Sequence, residues 1–85
     1  MADRDYPVVL NNLLQNHPSG NLSHNLHYTF TQEGPDNKAT HIATAIYRGN
    51  PYGVGRGTSK SAARKNAAKA TYEEFSRDGV PGTQA

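Results

Sequence analysis

From Gly53 the chain reads Gly53-Val54-Gly55-Arg56-Gly57-Thr58-Ser59-Lys60-Ser61-Ala62-Ala63-Arg64-Lys65-Asn66-Ala67-Ala68, a run of alternate glycines leading into an alanine-rich, basic segment. From Ser59 the pattern is helical: Ala63, Ala67, Ala70, Thr71 and Phe75 share one face, and Lys60, Ser61, Arg64, Lys65 and Lys69 spread over the others. Thr58 or Ser59 supplies the cap. Side chains this small let a helix lie very close to whatever it covers. The glycine-rich stretch ahead of a cationic helix start also reads as a phosphate holder. Unpaired amides and the helix macrodipole point out of the start, and Lys60 and Arg64 add full charges.

Spacing decides which phosphate is excluded. A P-loop places one glycine immediately before the lysine and another five residues earlier, but Ser59 and Val54 hold those positions. The dinucleotide fingerprint fails as well, because Gly53-x-Gly55-x-Gly57 has the wrong interval for its third glycine and follows an antiparallel pattern. A polynucleotide remains.

Charge points the same way. The net charge of the 85 residues is only +2, yet the acids are confined to Asp3, Asp5, Glu33, Asp36, Glu73, Glu74 and Asp78. Between Asn37 and Tyr72 lie seven basic residues and no acid: Lys38, Arg48, Arg56, Lys60, Arg64, Lys65 and Lys69. That asymmetry suits a polyanion. With no cysteine, disulfide and thiolate chemistry are excluded. Of His17, His24, His27 and His41, the pair His27 and His41 lacks a ligand-like local partner and no cysteine assists, so surface or core-edge histidines are expected and neither a metal nor another cofactor. No apolar run reaches the roughly 20 residues needed to span a bilayer, and an intracellular protein without membrane contact is expected.

The remainder reads as one small domain over residues 6–76, with flexible tails at 1–5 and 77–85. Val9, Leu10, Leu13 and Leu14 fall at helical spacing, and Pro7 suits a first turn, predicting a helix from about Pro7 to Asn16. His17-Pro18-Ser19-Gly20-Asn21 is turn chemistry. Leu26, Tyr28 and Phe30 then alternate with polar residues and predict a strand with those three side chains in the core. Gly34-Pro35-Asp36-Asn37 ends it. A second strand, about Thr40 to Arg48, is ambiguous in phase; the branched Ile42 and Ile46 are the expected inward residues, leaving His41, Ala43, Ala45 and Tyr47 on the other face. Gly49-Asn50 offers a hairpin turn, and a third strand follows around Tyr52 to Arg56. The expected class is α+β, in the order α-β-β-β-α, with a three-stranded antiparallel sheet.

That order, with Gly34-Pro35 between the first two strands and Gly55-x-Gly57-x-Ser59-Lys60-Ser61-x-Ala63-Arg64-x-x-Ala67-Ala68 entering the last helix, resembles the double-stranded RNA-binding domain family. The resemblance covers about Tyr6 to Phe75 and implies that both helices pack on one face of the sheet. It also implies three contact regions. Val8, Asn11 and Asn12 on the first helix would enter one minor groove of an RNA duplex. Pro35, Asn37 and Lys38 in the loop would reach a second. Lys60, Ser61, Arg64 and Lys65 would meet phosphates across the major groove between them. The family commonly carries glutamate at the position of Asn12, histidine at that of Asn37 and lysine at that of Ser61, so this clamp is one lysine short.

Double-stranded RNA is therefore the expected partner, bound without catalysis and largely without regard to sequence. The competing expectation is a protein-interaction or self-association module on the same fold, since a fold alone does not determine a function. Glu73 and Glu74 have no partner acid, nucleophile or metal cluster and read as a solvated helix end.

Overall fold

The computed structural model describes residues 5–18 and 20–80. Helix α1 (Tyr6–Gln15) is followed by a 3-10 turn at Ser23–Asn25, strand β1 (Leu26–Glu33), a second 3-10 turn at Asp36–Lys38, strands β2 (Thr40–Tyr47) and β3 (Asn50–Gly57), and helix α2 (Lys60–Asp78). The strands form one antiparallel sheet in the order β1-β2-β3. This is the expected α-β-β-β-α order, and the helices share one side of the sheet through a common core.

Gly53 and Gly55 lie in the expected third strand, and β3 extends to include Gly57 as well, so the glycine row is strand and not a phosphate loop. Gly53, Gly55 and Gly57 face α2, where a Cβ on Gly53 would fall 2.7 Å from the Thr71 amide nitrogen and one on Gly57 2.6 Å from the Ala62 Cβ. A Cβ on Gly55 would run into the Ala67 amide and the Ala63 carbonyl. The alternate glycines thus exist for contact between helix and strand backbones. Two side chains stitch the contact: Thr71 Oγ1 accepts from the Gly53 amide at 2.9 Å, and Asn66 Nδ2 donates to the Arg56 carbonyl at 2.8 Å.

This close approach reverses the expected phase of β2. Ala43, Ala45 and Tyr47 are fully buried against the helices, while Ile42 and Ile46 are half-buried on the opposite, helix-free face. With Ala43 packed on Ala63 and Ala67, an isoleucine in the inner row would overfill the layer. Tyr47 fits because it stands at the other end of the strand, where Leu10, Leu14, Phe75 and Val80 make a wider core. Its ring meets that of Phe75 edge-on at 5.4 Å, and Tyr52 meets Phe75 at 5.3 Å.

The β2–β3 hairpin turns one residue earlier than expected. Tyr47 pairs with Asn50, so Arg48 and Gly49 form the two-residue loop, both with positive φ (53° and 83°). Farther along β3, two steps on β2 match three on β3: Thr44 pairs with Val54 and Ile46 with Pro51. Tyr52 and Gly53 therefore both stand opposite Ala45, and this bulge lets the chain deliver an aromatic ring and a glycine to the same side.

The boundary expected at residue 76 lies inside α2, which continues to Asp78. Gly79, at φ 86°, donates its amide to the Phe75 carbonyl at 2.9 Å, and Val80 turns back into the core with 7% exposure. The rest of the expected tails, residues 1–4 and 81–85, falls outside the described residues.

Candidate nucleic-acid interface

Helix α1 buries Leu10 and Leu14, one turn apart, and so turns Val8, Asn11 and Asn12 to solvent on another face. Val8 is 51% exposed. Asn11 Nδ2 lies 3.4 Å from Gln15 Oε1, one turn along.

The β1–β2 loop opens with Gly34 at φ 88° and Pro35 in extended backbone, then closes a 3-10 turn in which the Lys38 amide donates to the Pro35 carbonyl at 2.9 Å. Pro35, Asn37 and Lys38 are all exposed. Strand register locates the loop: Glu33 pairs with Thr40, and His41 next to it pairs with Gly57, so the loop leaves the end of the sheet from which α2 departs.

At the start of α2, Ser59 Oγ accepts from the Ala62 amide at 3.1 Å, and the Ser59 carbonyl accepts from the Ala63 amide at 3.0 Å. The amides ahead of these, of Lys60 and Ser61, face out of the helix start. Lys60, Ser61 and Arg64 are exposed and Lys65 is half-buried. This end of α2 thus presents outward-facing amides and cations, while the β3 glycines face the α2 backbone.

Arg64 joins the regions. It lines a groove of about 370 Å³ whose walls include Val8 and Asn11 of α1, Ser23, and Tyr28 of β1. It also lines a recess of about 270 Å³ with Asp5, Pro7, Ser61 and Lys65, and another of about 310 Å³ with Phe30, Lys60 and Ser61. Of the predicted residues, Val8, Asn11, Lys60, Ser61, Arg64 and Lys65 thus line hollows that have Arg64 in common. Asn12 lies outside them on the exposed face of α1, and Pro35, Asn37 and Lys38 form a separate projection. The Tyr28 hydroxyl is buried with no hydrogen-bond partner among the described residues. Burial pushes its pKa up from the ordinary tyrosine value, and the neighbouring Arg64 charge opposes that rise in part.

Two residues at this surface escaped sequence reasoning. Asp5, assigned to a tail, stands at the N-cap position of α1 without a side-chain cap bond and lines the same recess as Arg64 and Lys65. Phe30, expected in the core, is 38% exposed with the Lys60 ammonium 5.9 Å from its ring centroid. The acid-free segment, in turn, is not one surface. Arg56 points to the helix-free side of the sheet and pairs with Glu33 at 3.0 Å. Among the described residues, no group of three or more His, Cys, Asp or Glu could hold a metal ion, and no helix is long and apolar enough to cross a membrane.

Comparison with known proteins adds two findings. The family model for the double-stranded RNA binding motif matches residues 9–75. Ribonuclease 3 of Desulforamulus reducens is 37% identical over 81 residues, a match spanning 94% of this chain but 31% of that relative's length. With the helix, three antiparallel strands and helix in that order, and a family match over most of its length, this chain belongs to the double-stranded RNA-binding motif family.

Proposed function

We propose that the chain binds duplex RNA by shape, through two minor-groove contacts and a phosphate clamp. Val8, Asn11 and Asn12 lie in one minor groove. The loop residues Pro35, Asn37 and Lys38 reach the next, and Lys60, Ser61, Arg64 and Lys65 hold phosphates across the major groove between them. A-form RNA shows 2′-hydroxyls in a wide, shallow minor groove and hides its base edges in a narrow major groove, so such a surface measures groove spacing over about 16 base pairs. The observation that carries this reading is the position of Arg64, a cation in the same groove as Val8 and Asn11. A duplex seated on α1 would bring its phosphates to the start of α2.

Contacts of this kind involve no catalytic step and carry little sequence information, and an RNA partner places the protein inside the cell. Titration of an RNA duplex of about 20 base pairs, beside DNA of the same sequence, at two salt concentrations tests the reading. Tighter binding to RNA that weakens with salt is expected; equal, weak binding to both duplexes would overturn it.

A second reading, as a protein-interaction module, draws on the helix-free face of the sheet. Val54 is 54% exposed there, and Ile42 and Ile46 of the neighbouring strand are half-buried. Sedimentation without RNA separates the readings, because self-association through that face depends on protein concentration alone.

A further inference from the structure

Phe30 stands in the helix-facing row of β1, opposite Ala43, and a phenylalanine there would ordinarily be buried. It stays 38% exposed because β1 is an edge strand and α2 lies over β3 and β2, bringing Lys60, Ser61 and Arg64 to the side of the ring instead of a covering helix face. The Lys60 Nζ lies 5.9 Å from the ring centroid. The ring, Lys60, Ser61 and Arg64 together line a concave recess of about 310 Å³. Ser61 brings no charge to it, so its positive potential comes from Lys60 and Arg64.

A lysine on an exposed first turn explores many rotamers and loses that freedom when it grips a phosphate. An aromatic face attracts the ammonium and narrows the search before any ligand arrives. From this geometry we infer that Phe30 is a positioning residue: its ring holds Lys60 over the recess, so that one phosphate is bound between Lys60 and Arg64. The inference rests on the duplex-RNA reading for its ligand, while the pairing of Phe30 with Lys60 is a property of the protein alone.

Two substitutions separate the ring face from apolar bulk. Phe30→Leu keeps bulk and loses the π face; Phe30→Tyr keeps both. On the scale of an exposed cation–π contact, Phe30→Leu is expected to weaken binding to duplex RNA about two- to five-fold, with Phe30→Tyr close to wild type. In a Lys60→Ala background, Phe30→Leu should cost nothing further. In the free protein, NMR should find the Lys60 ε-methylene protons shifted upfield by the ring in wild type and Phe30→Tyr, and returned to ordinary positions in Phe30→Leu. Wild-type affinity in Phe30→Leu, an undiminished Leu penalty in the Lys60→Ala background, or identical methylene shifts in wild type and Phe30→Leu would each overturn the inference. Should wild type show no preference for duplex RNA, the binding reading fails by itself, and the methylene shifts still decide whether Phe30 holds Lys60.

Discussion

The Gly53 amide donates to Thr71 Oγ1 at 2.9 Å, and the same hydroxyl donates to the Ala67 carbonyl at 2.8 Å, so one buried threonine ties β3 to the middle of α2. The contact needs a glycine on one side and a hydroxyl on the other. Thr71→Val keeps the shape but leaves the buried Gly53 amide without its acceptor, and a loss of about 1–3 kcal/mol is expected. Gly55→Ala presses a methyl group against the α2 backbone and should cost about 1–3 kcal/mol by overpacking. Urea unfolding of the two variants against wild type measures both, and an unchanged midpoint for Gly55→Ala would show that α2 can move off the sheet freely.

Arg64→Ala removes the cation that lines both the groove against Val8 and Asn11 and the recess beside Phe30 and Lys60. Duplex-RNA affinity should fall roughly ten-fold or more, the scale of a hydrogen bond to a charged group. The slope of log affinity against log salt should fall by about one, equally for unrelated duplex sequences. Lys69→Ala is the control. That side chain sits over the Tyr6 ring, away from the recess of Lys60 and Arg64, and its removal should cost less.

Asp5 places a negative charge where phosphate is proposed to bind. Asp5→Asn retains a residue suited to capping α1 and removes the repulsion. Affinity for duplex RNA should rise, by up to about five-fold at low ionic strength, the scale of one charge pair in water. At high salt the two proteins should converge. No gain at low salt would place the bound phosphates away from the Asp5 end of the groove.

Tyr28 predicts a response to alkaline pH. Burial raises its folded-state pKa above the ordinary value of 10.0, so above that pH the unfolded chain releases the proton while the folded chain retains it. Stability from this group is therefore intact below pH 10 and declines as pH rises toward the folded pKa. Tyr28→Phe removes the decline. Because the hydroxyl is buried without a partner among the described residues, the variant should match or exceed wild type at neutral pH. Unfolding free energies of the pair at pH 7 and above pH 10 test both parts; parallel losses in the two proteins would assign the alkaline response to other groups.

Most elements were legible from local chemistry. The alternation of Leu26, Tyr28 and Phe30 marked β1 from Leu26 to Glu33, and Pro7 with the leucine spacing marked α1 to within a residue at each end. Helix α2 followed from its alanine period and from Ser59 as cap, although its last turn and Val80 were read as tail. For the interface, the basic residues at the start of α2 were legible as a group, because Lys60 and Arg64 recur at one helical turn. That Asp5 borders the same recess was not, since 59 positions separate it from Arg64 in the chain.

Periodicity and turn chemistry act between residues a few positions apart, and for that reason local patterns were enough for the order of elements, their approximate bounds and the basic start of α2. Which face of β2 is buried depended on a distance that no local pattern contains. The Gly53, Gly55 and Gly57 row brings α2 close enough to the sheet that Ala43 and Ala45 fit beneath it and Ile42 and Ile46 cannot. By spacing alone the same glycines suit a phosphate loop as well as a strand. Only the tertiary structure assigned them to packing, because a residue without a Cβ serves a close approach to a helix as well as to an anion, and what stands 3 Å away decides between them.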